Sequence, residues 1–261
     1  MKALVLAAGF GTRLKPLTDT TPKPLVPVAG IPMIFFTLAL LKKNGIRDII
    51  INLHHLGSKI RKAVGNGKIL GLNICYSNEP EILGTGGGIR KVLPLLGNAK
   101  DLLVINGDVI VNADLKSLIK AHKKNHALAT LALREAPEQT QYGLLHHNRG
   151  QLTSILGQPV PNTKSKSAHF TGLHILKTEP LKKLPLRKRL CIVQDYYVPA
   201  LKAGLPLNAW LLKSYWSDCG THQALAQTEQ DLKLKAKNFP ELKVARAMAK
   251  KASAAIMAQP S

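Results

Sequence analysis

The feature that most narrows the fold of this chain is a rhythm. Over roughly its first half, short apolar segments alternate with helical ones. Residues 4–8 read as a buried strand, continuous, apolar and bounded by glycine. Residues 32–44 predict a helix with proline near its start and Gly45 closing it. A strand is expected at 48–52, a helix at 58–64 and a strand at 73–77. A helix at 86–93 follows a glycine-rich turn, and a strand at 102–105 ends at Asn106-Gly107-Asp108. A helix at 114–124 and a strand at 127–133 complete the series. Such alternation implies an α/β fold with a mainly parallel sheet covered by helices on both faces. After Tyr142 the rhythm changes. Residues 143–147 and 151–156 predict an antiparallel pair, then a polar loop at 159–167, a strand at 169–176, a helix at 193–202, a strand at 208–213 and a helix from Thr221.

The loop after the first strand carries the strongest chemical signal. Gly9 and Gly11 leave the backbone bare, so amide N–H groups can close on a phosphate chain with no Cβ in the way. Arg13 adds a forked guanidinium suited to several phosphate oxygens, and Lys23 adds a compact point charge. Pro22 and Pro24 frame that lysine and present it from a stiff segment, which lowers the entropy lost on gripping an anion. A strand, a bare loop and two cations together describe a pocket for a nucleoside triphosphate, beyond a plain tight turn. Two other phosphate loops fail on spacing. A P-loop needs Lys-Ser or Lys-Thr directly after its last glycine, where this chain has Thr12-Arg13. The dinucleotide fingerprint needs a small residue where Leu14 sits.

Two aspartates follow predicted strands. Asp108 comes after 102–105, and Asp218 after a strand ending near Trp216. Ligands of open α/β sheets sit beyond the carboxyl ends of strands, so both carboxylates are expected to face the glycine loop. Alone, either could be a helix N-cap. The histidine pairs His54-His55 and His146-His147 would point to opposite strand faces and make no metal site by spacing.

These segments carry a resemblance. Gly9 to Thr18 with Thr21 to Gly30, then Gly84 to Gly88, Asn106-Gly107-Asp108 and Trp216 to Thr221, resemble the signature of the sugar-1-phosphate nucleotidyltransferases over residues 1 to about 225. Within that family the chain is most similar to the N-acetylmuramate-1-phosphate uridylyltransferases. The resemblance implies a Rossmann-like core with a small antiparallel sugar-binding portion and a helical tail. The expected division is a nucleotidyltransferase domain at 1–239, with 1–135 mainly nucleotide-binding and 136–225 mainly sugar-binding with a second metal ligand, and, set off by Pro240, a basic helix at 240–261. The implied reaction joins a nucleoside triphosphate, UTP first, to a sugar 1-phosphate with Mg²⁺. Arg13, Lys23, Asp108 and Asp218 are the implied catalytic set, with Asp108 and Asp218 holding the metal. The nucleotide set is Ala8, Gly9, Gly11, Thr12, Arg13 and Lys23, with Asn78, Glu81, Gly84 and Thr85 toward the base. Asn106, Gly143, Thr171 and Gly172 are implied at the sugar. A Glu-Lys-Pro segment common in the family is replaced here by Gly157-Gln158-Pro159, which weakens the glucose-1-phosphate readings. Guanylyl transfer to mannose or heptose 1-phosphate, and a sugar-nucleotide-binding regulator without turnover, are the rival readings.

Composition bounds the remainder. A chain of 261 residues with 45% hydrophobic content can bury one large core, and no apolar run reaches transmembrane length. Cys75, Cys191 and Cys219 show no CxxC spacing and are odd in number, which points to a reducing cytoplasm, as does the lack of a signal-peptide pattern at the amino terminus. The net charge of +22 suggests nucleic acid, but scattered lysines and only 5% aromatic residues supply no stacking platform, so nucleic acid is not an expected partner. A field attracting anionic substrates is the plainer meaning. In the tail, Leu242, Ala245, Ala249, Ala252 and Ile256 share one helical face opposite Lys243, Arg246 and Lys250. Packing on the protein body or on a second copy is expected rather than membrane attachment, in a monomer or homodimer.

Overall fold

The computed structural model describes residues 1–258 except 125, 137–141, 162, 187, 235, 237 and 238, in two compact units that interleave along the chain. The sequence-expected polar loop and tail therefore reach, at 162 and 259–261, positions outside the described residues.

One unit comprises Lys2–Ile82, Asn106–Ala113 and the chain from Ser214. Its sheet holds three parallel strands, Asn73–Asn78, Asp48–Leu53 and Lys2–Leu6, in that order. Leu4 pairs with Ile50 and Ile50 with Cys75. Ala3, Leu4 and Val5 are fully buried, as a continuous apolar run in a covered parallel strand should be. The helix Met33–Lys43 is buried from Met33 through Leu41 and stops at Asn44 and Gly45, the latter with φ +79°. A short ribbon pairs Val109–Val111 with Trp216–Asp218, so residues more than 100 positions apart in the chain become neighbours. That ribbon lay beyond the reading from sequence, which placed Asp218 after its strand; the residue is the strand's last.

The tail helix Pro240–Met257 packs on Met33–Lys43 and on Gly57–Val64. Its buried seam is Glu241, Ala245, Met248 and Ala252. Leu242, Ala249 and Ile256 of the expected face are only half-buried. Glu241 joins the seam with Lys43 Nζ donating to its Oε1 at 2.8 Å, which offsets part of the cost of burying its charge.

The other unit comprises Leu83–Ile105 and Asp114–Lys213. Its strands run in the order Asp101–Asn106, Lys166–Lys177, Ala129–Glu135, Leu207–Leu211, Gln151–Ile155 and Leu144–Asn148. Only Leu207–Leu211 against Ala129–Glu135 is parallel; the other pairings are antiparallel. The antiparallel portion is thus larger than the strand–helix rhythm predicts. Its cause is the hairpin at 144–155, after which Lys166–Lys177 returns in the opposite direction between two strands. That strand starts three residues earlier than expected and bulges between Phe170 and His174, where Gly172 has φ +80°. The glycine-rich segment is itself helical, Gly84–Val92, rather than a turn before a helix. Residues 193–202 form a π turn, Val193–Tyr197, running into Val198–Lys202.

Buried histidines distinguish this second unit. His122, His147, His169 and His174 all have pKa values lowered by burial, His174 to about 3. The Tyr197 hydroxyl, itself held protonated by burial, shares a hydrogen bond with His174 Nδ1. A folded-state pKa below the unfolded value means that acid favours unfolding. The imidazole's contribution is complete above about pH 6.5 and is lost as pH falls toward 3, at about 1.4 kcal/mol per pH unit. Urea midpoints should therefore drop between pH 7.5 and pH 5, and the drop should shrink in His174→Gln. Identical midpoints at both pH values in the wild-type protein would show that these rings are not buried neutral.

Candidate active site

The loop after the first strand builds the floor of a cleft in the first unit. Leu6, Ala7, Gly9, Gly11, Thr12, Arg13, Lys23, Pro24, Asp108 and Gly220 line it. Gly11 has φ +68°, and a Cβ there would stand 2.9 Å from Thr18 Cγ2 and 3.1 Å from Lys23 Cβ. Thr18 in turn donates its hydroxyl to the Gly11 carbonyl at 2.9 Å. The glycine is thus required twice, by backbone conformation and by the close approach of Lys23. A short helical turn, Thr12–Leu14, then directs Arg13 outward, and another, Lys23–Leu25, carries the lysine.

Lys23 is the centre of the site. Its Nζ donates to Asp108 Oδ2 at 2.5 Å and lies 3.7 Å from Asp218 Oδ1, with only 9% of the side chain exposed. Asp108 precedes one strand of the short ribbon, and Asp218 pairs with Val109 across it. The two carboxylates are therefore brought together by backbone pairing rather than by side-chain choice. Asp108 is not a helix N-cap; the cap role in this stretch falls to Asp114, whose Oδ1 accepts from Ser117 N–H. Arg13 approaches Asp218 to 3.5 Å while 62% of its side chain stays exposed. It passes close to Gly220, where a Cβ would meet its guanidinium at 2.4 Å. Behind Asp218, Ser217 and Thr228 share a hydrogen bond of 2.6 Å, and burial pushes the Cys219 thiol up to about 11. That thiol is packing, not a nucleophile.

The arrangement unites Gly9, Gly11, Thr12, Arg13, Lys23, Asp108 and Asp218, with Ala8 buried alongside. Asn78 and Glu81 do not line the cleft: Asn78 accepts from Arg61 NH2 at 3.1 Å, and that guanidinium lies over the Tyr76 ring. Asn106 is half-buried at the start of the turn leading to Asp108. The other expected contacts belong to the second unit. A Cβ on Gly84 would meet the Leu190 carbonyl at 2.5 Å, and Thr85 Oγ1 accepts from Ile192 N–H. Gly143 faces Leu156, and the buried Thr171 hydroxyl is committed to the Ala132 carbonyl at 2.8 Å. Leu6, Ala7, Thr18 and Gly220 were not among the expected site residues, while Pro24, expected to frame Lys23, also lines the cleft. Thr18 and Gly220 sit inside motifs already quoted, and only the close approaches give them a role. His54 and His55 are in a turn rather than a strand, each hydrogen-bonded to a backbone carbonyl and each beside the Phe10 ring.

A family model described as nucleotidyl transferase matches residues 2–235. The N-acetylmuramate alpha-1-phosphate uridylyltransferase of Neisseria meningitidis is 47% identical over 146 residues, covering 55% of this chain and 63% of that protein. The UTP–glucose-1-phosphate uridylyltransferase of Synechocystis is 30% identical over 233 residues, covering 84% of this chain and 60% of that protein. The chain thus spans less than two thirds of either relative. The crystal structure of HddC from Yersinia pseudotuberculosis complexed with GMP-PN superposes with a TM-score of 0.74 at 24% identity, covering 88% of this chain and 99% of that one, a likeness of fold. With the glycine loop, Lys23 and both aspartates all inside the matched span, the chain belongs to the nucleotidyl transferase family.

Proposed function

We propose that this protein transfers a nucleotidyl group from a nucleoside triphosphate to a sugar 1-phosphate, with UTP and N-acetylmuramate 1-phosphate as substrates and UDP-N-acetylmuramate as product, a reaction of cytoplasmic cell-wall recycling. The observation that carries the reading is the convergence of Lys23, Asp108 and Asp218 beside the glycine loop. A sugar-phosphate oxygen attacks the α-phosphorus, the bond from that phosphorus to the β-phosphate oxygen breaks, and pyrophosphate leaves. The attacking oxygen is already ionised, so no side chain need remove a proton. Both reactants are anionic, and their mutual repulsion is part of the barrier.

The residues fit a divalent metal. Two hard oxygen donors already converge on one cation, Lys23 Nζ, and among the described residues no third acid, histidine or cysteine joins them in a metal-binding group. Mg²⁺ is commonly held by one or two carboxylates together with substrate phosphates. Bound by Asp108 and Asp218, it supplies neutralisation and Lewis acidity to the phosphate oxygens. Lys23, held by a stiff segment, bridges the α-phosphate and the incoming sugar phosphate. Arg13, its guanidinium mostly exposed, is free to fork onto the departing pyrophosphate. The glycine loop contributes backbone N–H groups that need no reorganisation.

Pyrophosphate release measured across UTP, GTP, dTTP, ATP and CTP with several sugar 1-phosphates should be fastest for UTP with N-acetylmuramate 1-phosphate. Preference for GTP with mannose 1-phosphate would overturn that specificity. Asp108→Asn should lower kcat by at least about 100-fold, the scale of a lost electrostatic group, while the circular dichroism spectrum is retained. Turnover near the wild-type rate in that variant would remove Asp108 from the reaction. Gly220→Ala should cost more than tenfold in rate, since the added methyl displaces the Arg13 guanidinium.

A further inference from the structure

A buried acid outside the cleft is tied to both ends of the glycine loop. Glu79 follows the edge strand Asn73–Asn78 and is only 3% exposed. Asn52, 2% exposed on the neighbouring strand, donates from Nδ2 to Glu79 Oε1 at 2.8 Å. The same amide accepts from the Ala7 N–H on Oδ1 at 2.7 Å, which fixes which way it points. A second tie leaves the backbone: the Glu79 carbonyl accepts from His54 Nδ1 at 2.8 Å, and the His54 ring meets Phe10 edge-on at 5.2 Å. Glu79 N–H itself donates to the Leu53 carbonyl at 2.7 Å. On the far side of the same peptide, the Leu6 carbonyl accepts from Gly107 N–H at 2.9 Å, one residue before Asp108.

The peptide between Leu6 and Ala7 is therefore anchored from two directions. One anchor leads to Asp108, the other through Asn52 to Glu79. A shift of this peptide moves the glycine loop relative to the carboxylate, and catalytic geometry tolerates little such movement. A carboxyl buried this deeply is costly unless hydrogen-bonded, and an apolar side chain would fill the same space without that cost. Here Glu79 accepts from the Asn52 amide, which in turn holds the Ala7 N–H.

We propose that Glu79, acting through Asn52, is a positioning residue that sets the glycine loop against Asp108 and so determines affinity for the nucleoside triphosphate. This rests on reading the cleft as the nucleotide site. It predicts a loss that falls on the nucleotide, because Leu6 and Ala7, whose peptide Asn52 holds, line the cleft while neither Asn52 nor Glu79 does.

Calorimetric titration of the full chain with UTP in the presence of Mg²⁺ tests it without requiring turnover. Glu79→Leu and Asn52→Leu should each weaken UTP at least about tenfold, the scale seen when a supporting hydrogen bond behind a site is removed. Glu79→Gln keeps an acceptor for Asn52 and should stay within about threefold of wild type on the same scale. In turnover assays KM for UTP should rise with that for the sugar phosphate little changed. Wild-type affinity in Glu79→Leu overturns the proposal, as does equal weakening by Glu79→Gln and Glu79→Leu. Should Asn52→Leu fail to fold, the two Glu79 variants decide alone. A wild-type protein that binds no UTP removes the cleft reading and this proposal together. One that binds UTP but turns over no sugar phosphate removes the proposed reaction while the titrations still decide the role of Glu79.

Discussion

Two carboxylates in one half-buried space repel each other unless a cation or a shared proton sits between them, and here the first unit supplies the cation. Lys23 is 9% exposed and reaches both Asp108 and Asp218. Removing an ammonium from water costs several kcal/mol, which strong hydrogen bonds to charged partners offset. The neighbours are shaped by the same requirement. Gly11 is small because Lys23 passes beside it, and Gly220 is small because Arg13 lies across it. The short ribbon exists in the right place to deliver both acids. The Arg13–Asp218 pair is different in kind. With the guanidinium 62% exposed it contributes less than about 1 kcal/mol, so its value is orientation rather than stability.

What was legible in the sequence was what depends on neighbours along the chain. A continuous apolar run before two glycines, a lysine framed by prolines and helix ends marked by glycine are local signals, and the structure keeps them at Lys2–Leu6, Lys23–Leu25 and Met33–Lys43. Beyond the first half the antiparallel hairpin at 144–155 was legible, but the antiparallel course of Lys166–Lys177 was not, since a buried strand has the same apolar pattern whether its neighbour runs with it or against it. The same limit applies to Glu241. Nothing nearby in sequence marks an acid as part of a buried seam; its partner Lys43 is 198 positions away. Gly84 and Thr171 illustrate a further ambiguity. Each fits a motif that suggests a ligand, yet each has a satisfied structural reason in the Leu190 and Ala132 backbone.

Residues that hold a site in place are harder to read than residues that form it. Glu79 lies between Asn78 and Glu81, both of which looked like hydrogen-bonding groups for a base. Exposure separates them: Asn78 and Glu81 face outward, and Glu79 is buried against Asn52. Glu79 and Glu81 lie just past the strand Asn73–Asn78, where the alternation that sets which side chain turns inward is least certain from sequence alone.

The charge balance of the cleft explains why a protein of net charge +22 places acids where a triphosphate would bind. Arg13 and Lys23 contribute two positive charges, and Asp108 and Asp218 contribute two negative ones, so the four cancel locally. The surrounding excess of lysine and arginine then supplies the long-range field that draws anions in, while the cleft itself does not hold them by charge alone. Under the proposed reading, a triphosphate arriving without a divalent cation meets two carboxylates and is repelled. Asp108 and Asp218 would hold a divalent cation that neutralises them, which would leave the Lys23 ammonium for phosphate oxygens. Affinity for substrate and readiness for transfer would thereby be linked through a single lysine.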